Sequence, residues 1–267
     1  ANVQANGGGD NPEALVEALY QVATGDGLEP YIRPSGGCPS IGVGYACMRT
    51  RAQPIIMVVT DAPMHSGPVV LGENHPYDRT SFSPYPAPHT YEQMVAALAS
   101  QLHPRVIGIN SGLEPFSGRS NLEQLARDTG TLGASGQPLV FDIGPDGSGL
   151  SEQVVAAVQR LTAEVRMNVS ARAVDDGSGA FALVREVRPQ SATPMNQVDR
   201  VDATTFYNVL PGTRLAFEIL LDPALTVPMD TEQRFIVRIE FLADGRPTLG
   251  YQDVLIIVPA RGMACTP

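Results

Sequence analysis

The sequence predicts an α/β domain followed by an all-β domain. Residues 54–59, PIIMVV, form a continuous apolar, β-branched run of the kind found in parallel strands that are buried on both faces. Two later runs, RVIGINSG and PLVFDI, repeat this pattern, with helical apolar spacing between them. After residue 165, strand-like runs alternate with turn residues. We therefore predict a partial parallel sheet with helices at 1–165, an antiparallel β-sandwich at 166–260 and a tail at 261–267.

The first helix is predicted within GGGDNPEALVEALYQ, and its start can be interpreted in two ways. Asp10 suits the N-cap position, and Glu13, three residues later, completes a capping box. The same two carboxylates could instead hold a metal ion. Local spacing favours the capping interpretation.

Further helices are predicted on both sides of the second and third strands. Their apolar residues recur at helical spacing, as in Met94, Leu98 and Leu102. The segments are HTYEQMVAALASQL, NLEQLARDTG and SGLSEQVVAAVQRLTAEV. No helical pattern follows Val165, where the strand-like segments are MNVSARAVD, AFALVREV, TRLAFEILLD, QRFIVRIEFLAD and TLGYQDVLIIVP.

The three cysteines favour an oxidising compartment. Cys38 and Cys47 bracket a glycine-rich loop that can close on itself, so we predict a disulfide between them. Zinc binding is disfavoured because the spacing is wrong and further ligands are not nearby. Cys265 is left over, which suggests a partner on another chain or on a further segment of the protein. We therefore expect a secreted or cell-surface protein.

Charge and hydropathy exclude several functional classes. The chain has 18 basic residues against 28 acidic ones and a net charge of −10, which is unsuited to nucleic acid or anionic membranes. No apolar run reaches the roughly 18 residues of a transmembrane helix.

Of the four histidines, His65 could pair with Asp61, but none has the spacing of a metal-binding or catalytic motif. We expect no enzymatic activity.

Five segments, in order, resemble a von Willebrand factor A domain of the type found in integrin β subunits. They are GGGDNPEALVEALYQ, IIMVVTDAP, YEQMVAALASQLHPRVIGINSG, LEQLARDTGT and the helix at 148–165. The resemblance covers the last two-thirds of that domain and implies a metal-ion-dependent adhesion site at the carboxyl ends of the strands. Such a site would bind Mg²⁺ or Ca²⁺ and accept an acidic residue of a protein ligand.

The resemblance also suggests which residues would act as ligands. Asp61, after Thr60 at the end of its strand, matches the aspartate of the metal site, although a Thr-Asp pair also occurs in ordinary turns. Glu13 matches a glutamate that approaches the same cation. Asp10 and the Pro12 carbonyl match ligands of a neighbouring cation.

The family's Asp-x-Ser-x-Ser motif has no counterpart at a plausible position, and neither do the strands that accompany it. The remaining parallel strands would leave IIMVV with an open edge and uncovered apolar side chains, which promotes aggregation. We therefore expect a companion that completes the sheet, either an N-terminal fragment of the same protein or a neighbouring subunit. Cys265 could join it covalently.

These expectations support two functional hypotheses. The first is a non-enzymatic secreted or surface adhesion protein that recognises a protein partner through a divalent cation. The second is a structural subunit of an extracellular or envelope assembly, in which the metal site is vestigial.

Overall fold

The computed structural model describes residues 10–38, 42–43, 45–49, 51–70, 72 and 75–262. The chain divides into two compact units, residues 1–165 and 166–267. The first unit contains a parallel sheet with helices, and the second contains antiparallel sheets, which confirms the predicted fold class. Cys265 lies outside the described residues, so its bond to another chain stays a prediction.

Helix α1 spans Leu15–Thr24, and the predicted capping box at its start is wrong. Its N-cap residue is Ala14, which makes no side-chain capping bond. Glu13 lies in an isolated parallel bridge with Met64, so its backbone is committed to another segment and cannot join the first helical turn. The helix ends at Gly25, whose left-handed conformation (φ 72°) is the usual geometry of a glycine stop.

The glycine-rich loop after α1 forms a small hairpin, and its disulfide is confirmed. Strand β1, Gly42–Val43, pairs antiparallel with β2, Met48–Arg49. Cys38 and Cys47 are bonded across this loop, with Cα atoms 5.3 Å apart.

The parallel sheet follows, in the order β3-β4-β5. Its strands are β3 (Ile55–Thr60), β4 (Arg105–Asn110) and β5 (Val140–Asp142). The helices that connect and follow them are α2 (Tyr91–Ala97, extended by a π-helical turn at Leu98–Leu102), α3 (Arg119–Asp128) and α4 (Leu150–Glu164). Thr90 and Gln93 form a complete capping box at the start of α2.

Helices cover both faces of this sheet. On one face, side chains of α1, α2 and α3 form a core with Val58, Val106 and Val140. On the other face, α4 packs Ala157 and Leu161 against β4 and β5. Burial of one such aliphatic side chain contributes about 1.5–3 kcal/mol, so both layers stabilise the unit.

The prediction that β3 is buried on both faces is wrong. Ile55 and Val59 are 45% and 48% exposed, because the α4 layer reaches only Met57 on this strand. Within the described residues, β4 is the one strand paired with β3, so the outer edge of β3 is open. The open edge that we predicted for IIMVV is therefore present among the described strands.

The second unit is a β-sandwich. Its strands are β6 (Met167–Val174), β7 (Val184–Thr193), β8 (Arg200–Val201), β9 (Thr205–Val209), β10 (Arg214–Leu221), β11 (Gln233–Ala243) and β12 (Thr248–Val258). One sheet has the order β12-β11-β6-β9-β8, and β10 pairs with β7 in the other. Phe217 and Ile219 of β10 belong to one core cluster with Val237 and Ile239 of β11. The described residues after Val165 contain short 3-10 turns but no α-helix, as expected.

Candidate functional site

Polar residues end all the strands of the parallel sheet. Thr60, Asn110 and Asp142 are the last residues of β3, β4 and β5, and they are direct neighbours in the strand register. Open α/β sheets bind ligands outside the carboxyl ends of their strands. This edge, with Asp61 and the loop at 111–118, is therefore the candidate functional site, and we call it the carboxyl shelf.

A buried amide organises the carboxyl shelf. Asn110 is only 4% exposed, and its Nδ2 donates to Asp142 Oδ1 at 3.0 Å and to the Gly112 carbonyl at 3.2 Å. Its Oδ1 accepts from Ser117 Oγ at 3.0 Å and from Gly112 N at 3.3 Å. The donors and acceptors of the amide are thus all used. They tie the end of β4 to β5 and to both ends of the following loop.

Two glycines let the loops of the shelf touch through their backbones. A Cβ atom on Gly112 would overlap the Asp61 carbonyl oxygen, and one on Gly118 would overlap that of Ala62. Only glycine allows so close an approach of two main chains. The position of Asp61 is therefore set by the loop after β4.

A guanidinium group lies beside the far strand of the shelf. Arg119, the first residue of α3, forms an ion pair with Asp142 and donates from Nε to Glu123 Oε1 at 3.0 Å. Burial opposes its charge, but the bonds to Asp142 and Glu123 outweigh that effect and raise the pKa of Arg119. The β5 end of the shelf thus contains a charged guanidinium that is paired with two carboxylates.

The two predicted residues at the end of β3 have different environments. Thr60 is buried, and its hydroxyl donates to the Ala62 carbonyl at 3.0 Å and accepts from Ala62 N at 3.2 Å. The Asp61 side chain is exposed and makes no hydrogen bond or ion pair with the part of the chain that the structure describes. Asp61 therefore presents an available carboxylate on a rigid backbone.

The predicted segment at 10–13 runs beside the residues that follow Asp61. Glu13 N donates to the Pro63 carbonyl at 2.8 Å, and His65 N donates to the Glu13 carbonyl at 2.9 Å. The Glu13 side chain is exposed and Pro12 is half-buried. The contact is thus made through the backbone and leaves the Glu13 carboxylate at the surface.

The partner of His65 is Asp10, not Asp61. The Asp10 carboxylate lies 2.8 Å from His65 Nε2, while His65 Nδ1 donates to the His75 carbonyl at 3.0 Å. The imidazole stacks on Tyr77 at a centroid distance of 4.0 Å. Burial, and then the nearby carboxylate of Asp10, raise the pKa of the Tyr77 hydroxyl.

These residues do not form a complete cation site. Across the described ranges, no three His, Cys, Asp or Glu side chains form a group that could hold a metal ion. The Thr60 hydroxyl serves the backbone of Ala62, and Asp10 contacts His65, which leaves Asp61 and Glu13 as exposed carboxylates. Binding of Mg²⁺ or Ca²⁺ therefore stays a prediction.

A buried carboxylate outside the shelf has a structural role. Glu17 of α1 accepts from both the backbone N and the ring Nδ1 of His89, at 2.8 and 2.9 Å, and from Gln21 Nε2 at 2.7 Å. His89 also stacks on Tyr20. These contacts fasten α1 to the segment before α2, and the Glu17 carboxylate is satisfied by them.

Sequence reasoning missed Asn110, Asp142 and Arg119. The signal that could have identified the first two is their position, because each ends a predicted buried strand, as Thr60 does. The bonds of Asn110 to residues 112 and 117 depend on the path of the loop and leave no pattern in the sequence.

Comparisons with known proteins include a weak likeness to a solved structure. Comparisons with protein families and with curated proteins find no match. Among solved structures, the chain is similar to a protein described as von Willebrand factor type A from Catenulispora acidiphila, with 14% sequence identity and a TM-score of 0.26. The likeness covers 80% of this chain and 44% of that one. It is too low to transfer a function, so the function must be argued from the chain's own geometry.

None of the helices in the described part of the chain has the length and apolarity needed to cross a bilayer.

Proposed function

We propose that the protein is a non-enzymatic binding protein whose α/β unit recognises a protein partner at the carboxyl shelf. The observation that carries this proposal is the exposed carboxylate of Asp61, which has no partner among the described residues and lies on a backbone fixed by Gly112. A preorganised polar group loses little conformational entropy on binding, so more of its interaction energy contributes to affinity. The Cys38–Cys47 disulfide supports a secreted or cell-surface location.

The resemblance to von Willebrand factor A domains suggests a finer version of this function. In it, Mg²⁺ or Ca²⁺ at Asp61 accepts an acidic side chain of the partner. Hard cations of this kind require six or more oxygen ligands, whereas the described shelf offers a single available carboxylate on the β3 loop. The remaining ligands would have to come from elsewhere, including the companion that completes the sheet.

The open edge of β3 supports the existence of such a companion. Ile55 and Val59 are half-exposed on a strand whose composition is that of a buried one. A strand added at this edge would satisfy its backbone groups, and an apolar surface beside it would cover both side chains. The source of this strand would be an N-terminal fragment of the same protein or a neighbouring subunit.

Native purification tests the proposed companion and the proposed recognition of a partner at the carboxyl shelf. Intact mass measured with and without denaturant and reductant identifies an associated polypeptide and any covalent link to it. The affinity of the identified partner is then compared between the wild type, Asp61→Asn and the control Asp230→Asn, which removes another exposed carboxylate. We expect Asp61→Asn to weaken binding at least about tenfold, or 1.4 kcal/mol. Equal affinities of the two variants would refute recognition at the shelf.

Chelation separates the two versions of the function. Loss of partner binding in EDTA, with recovery on addition of Mg²⁺ or Ca²⁺, would support the cation-dependent version. Binding that survives EDTA but still depends on Asp61 would support direct recognition by the carboxylate.

A second candidate function is that of a structural subunit in an extracellular assembly. The exposed apolar side chains on the open edge of β3 favour it, because exposed strand edges promote association between chains. It predicts self-association that survives EDTA and does not change with Asp61→Asn.

A further inference from the structure

A second open strand edge lies in the β-sandwich, independent of the carboxyl shelf. Strand β12 is eleven residues long and stands at one end of the sheet, paired only with β11 among the described strands. The opposite end of the same sheet is β8, which is two residues long and carries Arg200 stacked over Tyr207. Short, charged edges resist pairing with other chains, whereas long uncharged edges promote it.

The outward face of β12 is apolar towards the end of the strand. Leu255 and Ile257 lie on this face and are exposed, and Asp253 and the exposed Tyr251 precede them on the same face. Ile236 of β11 lies directly opposite Leu255 in the register and is also exposed. Leu255, Ile257 and Ile236 form an exposed apolar stripe at the end of the two outermost strands, next to the pair of Arg238 and Asp253, and a stripe of this kind marks an interaction surface.

The single charge on β12 is already neutralised. Asp253 accepts two hydrogen bonds from Arg238 on β11, at 2.8 and 3.0 Å, and the two residues are direct neighbours in the register. The strand, TLGYQDVLIIV, has no Lys, Arg or Pro that would block pairing at its edge. It is therefore a locally neutral surface on a chain whose net charge is −10.

We propose that the β12 edge binds the β12 edge of a second copy of this chain, which makes one continuous antiparallel sheet across a two-fold axis. An antiparallel pair of identical strands is self-complementary, as a two-fold interface requires. Two copies with the same negative charge repel each other, so the surface on which they meet must carry little net charge. The Arg238–Asp253 pair meets that condition, and the stripe around Leu255 supplies apolar area to bury.

Sedimentation equilibrium of the full, disulfide-intact chain tests this proposal. We expect a reversible dimer in the wild type and an association constant at least about tenfold lower in Leu255→Lys, because a lysine on an edge strand disfavours pairing and the two-fold axis brings the like charges of the two copies close together. Leu225→Lys is a matched control, since Leu225 and Leu255 are both 52% exposed and Leu225 lies in a loop. Val59→Lys, on β3, separates this edge from the other open one. Neither control should weaken the dimer.

The dimer should also persist at ~1 M salt, where the screening length is about 3 Å, because apolar contact and backbone bonds hold it. Ile257→Lys repeats the test on the same stripe if circular dichroism shows that Leu255→Lys is unfolded. The proposal would be overturned if the wild type stayed monomeric up to about 1 mM, which is the dissociation constant of a weak complex. An equal loss of association in Leu225→Lys, or a loss confined to Val59→Lys, would overturn it as well. None of these outcomes depends on partner recognition at Asp61.

Discussion

Replacement of Asn110 by alanine should loosen the carboxyl shelf more than any other single amide truncation in the α/β unit. The alanine removes four hydrogen bonds, which link the end of β4 to Asp142, Gly112 and Ser117. Ser117 Oγ is buried, so its hydroxyl would lose a partner that water cannot easily replace. Asp142 is exposed and can bind water instead, which reduces the cost of that one bond.

The expected destabilisation is about 2–4 kcal/mol, because each lost hydrogen bond contributes roughly 0.5–1.5 kcal/mol and one of the four is replaceable. Asn121→Ala provides an internal scale. Asn121 is equally buried but makes two bonds, to Met64 N at 2.9 Å and to the Pro68 carbonyl at 3.3 Å. It also lies inside α3, where alanine is favoured by a few tenths of a kcal/mol. We expect a cost of only about 1 kcal/mol for this control.

Differential scanning calorimetry is the assay, because it reports each cooperative unit. A unit of this size shifts its midpoint by about 2–4 °C per kcal/mol, so Asn110→Ala should lower the transition of the α/β unit by about 4–16 °C. The transition of the β-sandwich should not move. A shift for Asn110→Ala no larger than that for Asn121→Ala would refute the idea that this amide organises the shelf.

Three further predictions concern backbone contact, a buried ion pair and an exposed turn. Gly112→Ala should destabilise the α/β unit by about 1–3 kcal/mol in urea unfolding, since its Cβ has no room, whereas Gly36→Ala should be nearly neutral because its Cβ would contact nothing. Glu240→Gln should destabilise the β-sandwich by about 1–3 kcal/mol in the same assay. The buried carboxylate of Glu240 accepts hydrogen bonds from four donor atoms, and the NH2 group of a glutamine would point at some of these donors. Burial opposes ionisation of Glu240, but the hydrogen bonds outweigh this effect and lower the pKa of its carboxyl group. Its contribution to the free energy of unfolding is therefore present above the ordinary pKa of a glutamate and is lost on acidification below it. Backbone and side-chain donors lower the pKa of Asp202 to about 2, and an NMR titration should find that midpoint in the wild type and lose it in Asp202→Asn.

The sequence predicted β4 well because its composition and its burial agree. Residues 106–109 of β4 are fully buried, as a continuous apolar run indicates. The prediction of a capping box at the start of α1 failed because the local pattern and the tertiary contacts disagree. Asp10 and Glu13 have the right spacing for a capping box, but they form bonds with a distant segment. Their partners, His65 and the backbone at 63–65, are about fifty residues away in the chain, and no local pattern encodes that contact.

The candidate site was predictable only in part, and the limit is physical. Asp61 follows a strand whose apolar run ends abruptly, so its position at the edge of the sheet can be read from the sequence. The role of Asn110 depends on the loop that returns Ser117 to it, and the need for Gly112 depends on a main-chain contact with Asp61. Both arise from packing between loops, where the periodicities of helix and strand give no information.

The environment of β3 contradicts its composition, and this has a consequence for the proposed function. Its run of β-branched residues is that of an interior strand, yet Ile55 and Val59 remain exposed at an open edge. Asp61 directly follows the last residue of this strand. A strand that pairs with β3 must therefore pass close to the Asp61 carboxylate, so completion of the sheet and recognition at the carboxyl shelf are linked. It follows that Val59→Lys, which should displace the companion, should also weaken binding of the partner that Asp61 recognises, although Val59 itself need not touch that partner. Partner affinity that is insensitive to Val59→Lys would show that the two surfaces act independently.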